Sequence, residues 1–194
     1  MREINITYID DKPDPSLSRY LNEEFLNPQF IKVYREILFK PADGYESLIR
    51  NPLVQTANII IIDSMLFENN NTVSGKFSGE EFKIILKKYY PFIEVIVITQ
   101  NEPEESMGTI SKYDKSQNES ASEYYGRVLP GLINDAYSNI ERYHSIADKL
   151  SENSSLEKYL VEKVVSSLNG TSIYDELTKS DIDKLIAAFQ KIEK

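Results

Sequence analysis

Runs of β-branched residues punctuate the first half of the chain, and each stops at a polar or acidic position. Residues 4–9, Ile-Asn-Ile-Thr-Tyr-Ile, alternate and then give way to Asp10-Asp11-Lys12-Pro13. Residues 58–62 form a continuous aliphatic run that ends in Asp63, and residues 93–98 form another that ends in Thr99. Short runs of this kind suit strands buried on both faces of a parallel sheet. A further strand is expected within residues 30–39. Residues 17–25 and 82–90 space their apolar positions at helical intervals, and residues 44–49 suit a short helix. Strands alternating with helices predict right-handed crossovers and a doubly wound α/β sheet. In such sheets the reactive groups gather outside the carboxyl ends of the strands, so Asp10, Asp11, Asp63 and Thr99 are expected at one edge. The polar stretch 69–76 is expected to be an enlarged loop beside Asp63.

From about residue 120 the pattern becomes helical. Pro130-Gly131 is expected to interrupt or kink the helix, or to start a new one. Leu129, Ile133, Ala136, Ile140, Tyr143, Ala147 and Leu150 then alternate steps of four and three. This stripe is either a heptad seam for a second helix or one face of an amphipathic helix lying on the sheet. Ser154-Ser155-Leu156-Glu157 reads as a capping box that opens a helix to about residue 168, where Asn169-Gly170 ends it. A last helix follows Ser180, with Ile182, Leu185, Ile186, Phe189 and Ile192 on its apolar face.

Composition narrows the chemistry. The net charge of -9 argues against a broad basic face for nucleic acid. Cysteine is absent and histidine occurs once, which excludes disulfides, thiolate metal sites, a cysteine nucleophile and a multi-histidine metal site. No signal peptide precedes the first strand-like run, and the longest aliphatic run, residues 59–62, is far too short to cross a membrane. A soluble, cytoplasmic protein is therefore expected. Residues 151–194 carry six Lys or Arg against eight Asp or Glu, so this segment is expected to bind protein and not DNA.

The acidic pair in Tyr8-Ile9-Asp10-Asp11, the aspartate in Ile60-Ile61-Ile62-Asp63 and the threonine in Val97-Ile98-Thr99 resemble, in order and spacing, a response-regulator receiver domain of two-component signalling. Gly79-Glu80-Glu81-Phe82 is similar to the Gly-x-Glu-Leu that opens the family's third helix. Ala42-Asp43-Gly44-Tyr45-Glu46-Ser47-Leu48 is similar to its second-helix stretch. The likeness spans about residues 4–140. It implies a five-stranded, flavodoxin-like parallel sheet in a receiver domain over residues 1–143, with the last helix reaching about 150 and a helical extension over 151–194.

The resemblance also implies a site. Asp63 would accept a phosphoryl group, a reaction that needs a divalent cation between the two negative partners. Mg²⁺ would be held by Asp10, Asp11, Asp63 and the backbone carbonyl of Met65, with Asp11 binding it directly and Asp10 through water. Thr99 would hydrogen-bond a phosphoryl oxygen. Spacing from Gly108 favours Lys115 as the phosphate-binding lysine, and Lys112 is the rival. The implied partners are a sensor histidine kinase or phosphotransfer protein and a downstream protein, with a homodimer through helix 129–150 expected from the seam. No catalysis is expected beyond the domain's own phosphorylation and dephosphorylation.

Several features depart from the family. The stretch from Thr99 to Gly108 is too short for a normal fourth helix and contains Pro103. Three positions before Lys115 stands Lys112, where the family has an aromatic switch residue, and Ser116 follows Lys115 in place of proline. These departures support an alternative, a pseudo-receiver that binds partners without phosphate. A haloacid-dehalogenase-like phosphatase is a further alternative. It needs a general acid two residues after the nucleophile, where this chain has Met65.

Overall fold

The computed structural model describes residues 1–40, 44–67, 78–103, 108–116 and 118–152, with isolated positions 162, 165 and 166. The expected loop 69–76 and the helix expected within 180–192 lie outside the described residues, as does the helix expected within 154–168 apart from those three positions, which are helical. Five strands form one sheet: β1 (Arg2–Asp10), β2 (Phe30–Leu38), β3 (Ile59–Asp63), β4 (Glu94–Thr99) and β5 (Thr109–Ser111). All pairs are parallel and the order is β2-β1-β3-β4-β5. This is the flavodoxin-like doubly wound order, in which the chain leaves β1 toward one edge and returns through β3 toward the other.

Helices cover both faces because every inner strand is apolar on both faces. Ile59, Ile60, Ile61 and Ile62 are all fully buried, each contributing about 1.5–3 kcal/mol from burial. Ile9, Ile60, Ile62, Val95 and Val97 point to one layer. It is packed by α2 (Gly44–Ile49), α3 (Pro52–Gln55) and α4 (Gly79–Tyr89). Ile4, Ile6, Tyr8, Ile59, Ile61, Ile96 and Ile98 point to the other. There α1 (Pro15–Arg19), continued by a π-helical turn (Tyr20–Glu24), lies beside α5 (Ala121–Glu152). The short α3 goes beyond the expected elements. Its start is nevertheless written in the sequence, with Pro52 in the first turn and the Asn51 side chain accepting from Leu53 N at 2.9 Å.

Pro130 lies inside one continuous α5 and starts no new helix. Its ring removes only the bond to the Gly126 carbonyl, and packing on the sheet holds the turns on either side. The helix opens with a reciprocal cap: Ser120 N donates to Glu123 Oε2 at 2.8 Å and Glu123 N to Ser120 Oγ at 3.2 Å. Leu129, Ile133, Ala136 and Ile140 are buried against Ile4, Ile6, Ile59 and Ile61. Tyr143 continues the stripe, donating to Glu94 Oε1 at 3.0 Å and packing its ring on Phe92. Over this stretch the stripe is therefore the inner face of an amphipathic helix and is not open to a second copy. Among the described residues no helix is long and apolar enough to cross a membrane.

The connection between β4 and β5 is short, and its described residues 100–103 are not helical. Gly108 turns the chain into β5 with φ of 69°, a left-handed conformation suited to glycine.

Candidate metal centre

The strand ends share one local device. Asp10 Oδ1 accepts from Lys12 N at 2.8 Å, Asp63 Oδ2 from Met65 N at 2.9 Å, and Thr99 Oγ1 from Asn101 N at 3.1 Å. In each case the side chain closes its own turn by binding the amide two residues on. The chain thus leaves each strand sharply, and the side chain stays at the carboxyl edge of the sheet. The register then aligns the ends, because Asp63 pairs with Ile98 in β4 and Ile9 with Ile62 in β3.

Asp10, Asp11 and Asp63 converge so that one carboxylate oxygen from each lies within 4.8 Å of the others, a cluster that can hold a metal ion. Asp10 and Asp63 are 1% and 5% exposed, and Asp11 is half-buried. Three carboxylates are a hard, all-oxygen donor set that suits Mg²⁺ or Ca²⁺ better than a soft metal. They line a cleft of about 300 Å³ with Lys12, Met65, Gln100 and Lys112. Met65 is thus among the residues lining the cleft, and Asn101 Nδ2 reaches its sulfur at 3.6 Å.

The lysine expectation is corrected. Lys112, 7% exposed, places Nζ 2.8 Å from Asp10 Oδ2 and 2.6 Å from Asp63 Oδ1. Lys115 is exposed in the turn that follows. The physical reason is the length of β5. The strand ends at Ser111, and Lys112 N still donates to Thr99 O at 2.6 Å, so Lys112 is the residue at the edge of the sheet. Thr99 is buried at the end of β4, and Gln100 beside it supplies the cleft wall.

Burial alone would lower the Lys112 pKa, but its hydrogen bonds to Asp10 and Asp63 and their charges outweigh it, leaving it above the ordinary lysine value. Asp63 lies above the ordinary carboxylate value, chiefly because of burial and with help from the Asp10 charge. Lys112 and the Met65 amide offset part of that rise. The ammonium thus bridges two carboxylates that would otherwise repel each other in a desolvated place.

Two residues of the site escaped the sequence reading of function. Tyr8 is fully buried, and its hydroxyl donates to Asp10 Oδ2. Burial first, and then the Asp10 charge, push its pKa above the ordinary tyrosine value, so the hydroxyl keeps its proton. The available signal was spacing, because residues two apart in a strand share a face and Tyr8 precedes Asp10 by two. Glu80 is buried in the first turn of α4, where it accepts from Ser64 Oγ and Thr109 Oγ1, both at 2.7 Å. Nothing in the sequence separates it from an exposed glutamate favoured by the helix dipole. Thr109, three positions before Lys112, is tied to Glu80 through this bond.

The N-terminus of α4 is pressed against the site. Gly79 N donates to Ser64 O at 2.7 Å, and a Cβ at Gly79 would stand 2.5 Å from the Asp63 carbonyl oxygen. Ser78 and Glu81 form a reciprocal cap there, as the sequence Ser-x-x-Glu implies. No protein-family model and no curated protein matches this sequence.

Proposed function

We propose that this chain is a phosphoacceptor signalling domain of the response-regulator receiver type, with Asp63 as the residue phosphorylated. The observation that carries the reading is the Lys112 ammonium bridging Asp63 and Asp10 at the carboxyl edge of a 2-1-3-4-5 parallel sheet, with Asp11 beside them. A solvated acidic patch has no need of a buried lysine from the end of β5, two places from β3 and three from β1 in the sheet.

In this reading an Asp63 carboxylate oxygen attacks the phosphorus of a phosphohistidine or acyl phosphate. The bond from phosphorus to the leaving imidazole or acyl oxygen breaks, and the leaving group keeps the electron pair. Asp11, Asp63 and the Met65 carbonyl, with Asp10 nearby, would hold Mg²⁺, which would supply positive charge to offset the repulsion between carboxylate and phosphoryl group. Lys112 would release one of its carboxylates and offer its charge to the phosphoryl group, while Thr99, at the end of the neighbouring strand β4, would supply a hydroxyl to it. The donor would be a sensor histidine kinase or phosphotransfer protein, and output would pass to a downstream protein in the cytoplasm.

One observation favours a second reading. Thr109 is held by Glu80 in place of a rotating aromatic, as suits a pseudo-receiver whose surface does not answer to phosphate. Incubation of the full chain with acetyl phosphate or beryllofluoride and Mg²⁺ separates the two. The phosphoacceptor reading expects an adduct on the wild type by intact mass or ¹⁹F NMR, and none on Asp63→Asn. Absence of any adduct or Mg²⁺-dependent change, with a histidine phosphotransfer donor also tried, leaves the pseudo-receiver.

A further inference from the structure

Asp10 belongs to a closed ring of hydrogen bonds that leaves the site and returns to it. Its Oδ2 accepts from both Lys112 Nζ and the Tyr8 hydroxyl. That hydroxyl accepts in turn from Asp14 N at 3.1 Å. Asp14 caps α1, its Oδ1 accepting from Ser16 N at 2.9 Å, while its Oδ2 accepts from the Tyr125 hydroxyl at 2.7 Å. The Tyr125 oxygen accepts from Tyr113 N at 3.1 Å, and Tyr113 is the chain neighbour of Lys112. The ring joins the end of β1, the cap of α1, the N-terminal part of α5 and the segment after β5. Tyr8 and Tyr125, which carry the two hydroxyls of the ring, are both fully buried.

We propose that this ring couples occupancy of the carboxylate site to the α1–α5 side of the molecule, with Tyr8 as the positioning residue that transmits the change. The inference rests on the reading of the site as a Mg²⁺-dependent phosphoacceptor. A divalent cation draws on the same Asp10 charge that Tyr8 uses, so its arrival weakens the Tyr8 bond. A hydroxyl is a better acceptor when its own proton goes to a strong acceptor, so the Asp14 amide is then held less firmly as well. Asp14 is both the cap of α1 and the acceptor for Tyr125, and loosening it frees the N-terminal parts of two helices. This route runs on the opposite face of the sheet from Glu80 and Thr109 and does not depend on the short β4–β5 connection. Coupling is reciprocal: if the cation loosens the ring, a loosened ring favours the cation by the same factor.

The test uses the full chain, with Mg²⁺ as the probe. Calorimetric titration of wild type, Tyr125→Phe and Tyr8→Phe gives affinities, and amide hydrogen exchange with and without Mg²⁺ reads residues 15–24 and 121–128. Tyr125→Phe is expected to bind Mg²⁺ about twofold more tightly than wild type, and Tyr8→Phe about fivefold. In wild type, Mg²⁺ is expected to speed exchange in residues 15–24, and Tyr125→Phe to lose that response. Unchanged affinity in Tyr125→Phe, weaker binding in Tyr8→Phe, or unaltered exchange in residues 15–24 would each overturn the coupling while leaving the phosphoacceptor reading intact. A wild type that takes no Mg²⁺ overturns both. Circular dichroism checks that the variants fold, and Tyr125→Phe carries the test by itself if Tyr8→Phe does not.

Discussion

Replacing Lys112 with methionine keeps the apolar stem of the side chain and removes the charged Nζ. The ammonium stands 2.6 Å from Asp63 and 2.8 Å from Asp10. At an effective dielectric constant of about 20, each contact is worth about 6 kcal/mol of Coulomb attraction. Desolvating the three groups offsets most of that, at several kcal/mol per ion. In Lys112→Met the attraction vanishes and the desolvation of Asp10 and Asp63 remains. Their mutual repulsion remains too, about 3 kcal/mol on the same dielectric scale for oxygens within 4.8 Å. The expected loss is about 3–5 kcal/mol at neutral pH, typical of a buried pair deprived of one partner. Urea unfolding followed by circular dichroism measures it. Because the penalty is uncompensated negative charge, millimolar Mg²⁺ should restore part of the loss, and so should acidification, which protonates one carboxylate. Lys115→Met, made in the exposed turn, should stay within about 0.5 kcal/mol of wild type. A Lys112→Met protein that loses less than about 1 kcal/mol, or one whose loss neither Mg²⁺ nor acid relieves, would refute the bridging role.

Gly79→Ala should lower stability by roughly 1–3 kcal/mol despite the better helix propensity of alanine, because the new Cβ meets the Asp63 carbonyl at 2.5 Å and backbone cannot give way cheaply. A thermal melt reads the change, and any affinity for Mg²⁺ should fall with it as α4 is displaced from the Asp63 turn. Glu80→Ala leaves the buried hydroxyls of Ser64 and Thr109 without their acceptor and should cost about 1–3 kcal/mol in urea unfolding, while Glu80→Gln, which keeps one acceptor, should cost less. His144 has its pKa lowered, first by burial and then by Arg2, so the unfolded chain binds the proton more readily than the fold does. Its contribution is present above the unfolded value, near 6.5, and is lost as pH falls from there through the lowered folded value. His144→Gln should therefore flatten the acid side of the stability profile over that window, as measured by urea midpoints.

The sheet was legible because its information is local. The run Ile59–Ile62 is apolar at every position, which is stable only with helices on both faces, and that requirement leads to parallel strands and crossovers. Asp10, Asp63 and Thr99 were legible for the same reason: each stops an apolar run, and in a doubly wound sheet strand ends share an edge. α3 was missed because four residues are too few to show a period. The stripe from Leu129 to Ile140 fits a sheet and a second helix equally well. The apolar face of the sheet, which α5 buries, decided between them.

By itself, then, the sequence determined the strand ends and the carboxylates placed on them, both of which depend on neighbours a few residues apart. Tertiary structure alone decided which lysine enters the site. Lys112 meets Asp10 across 102 positions of chain, and its place depends on the β4–β5 register and on where a three-residue strand stops. It likewise decided that Tyr8, Asp14, Tyr125 and Tyr113 close a ring around Asp10. Hydrogen-bond partners drawn from four separate elements have no period to reveal them; they exist only once the sheet order has brought those elements to one corner.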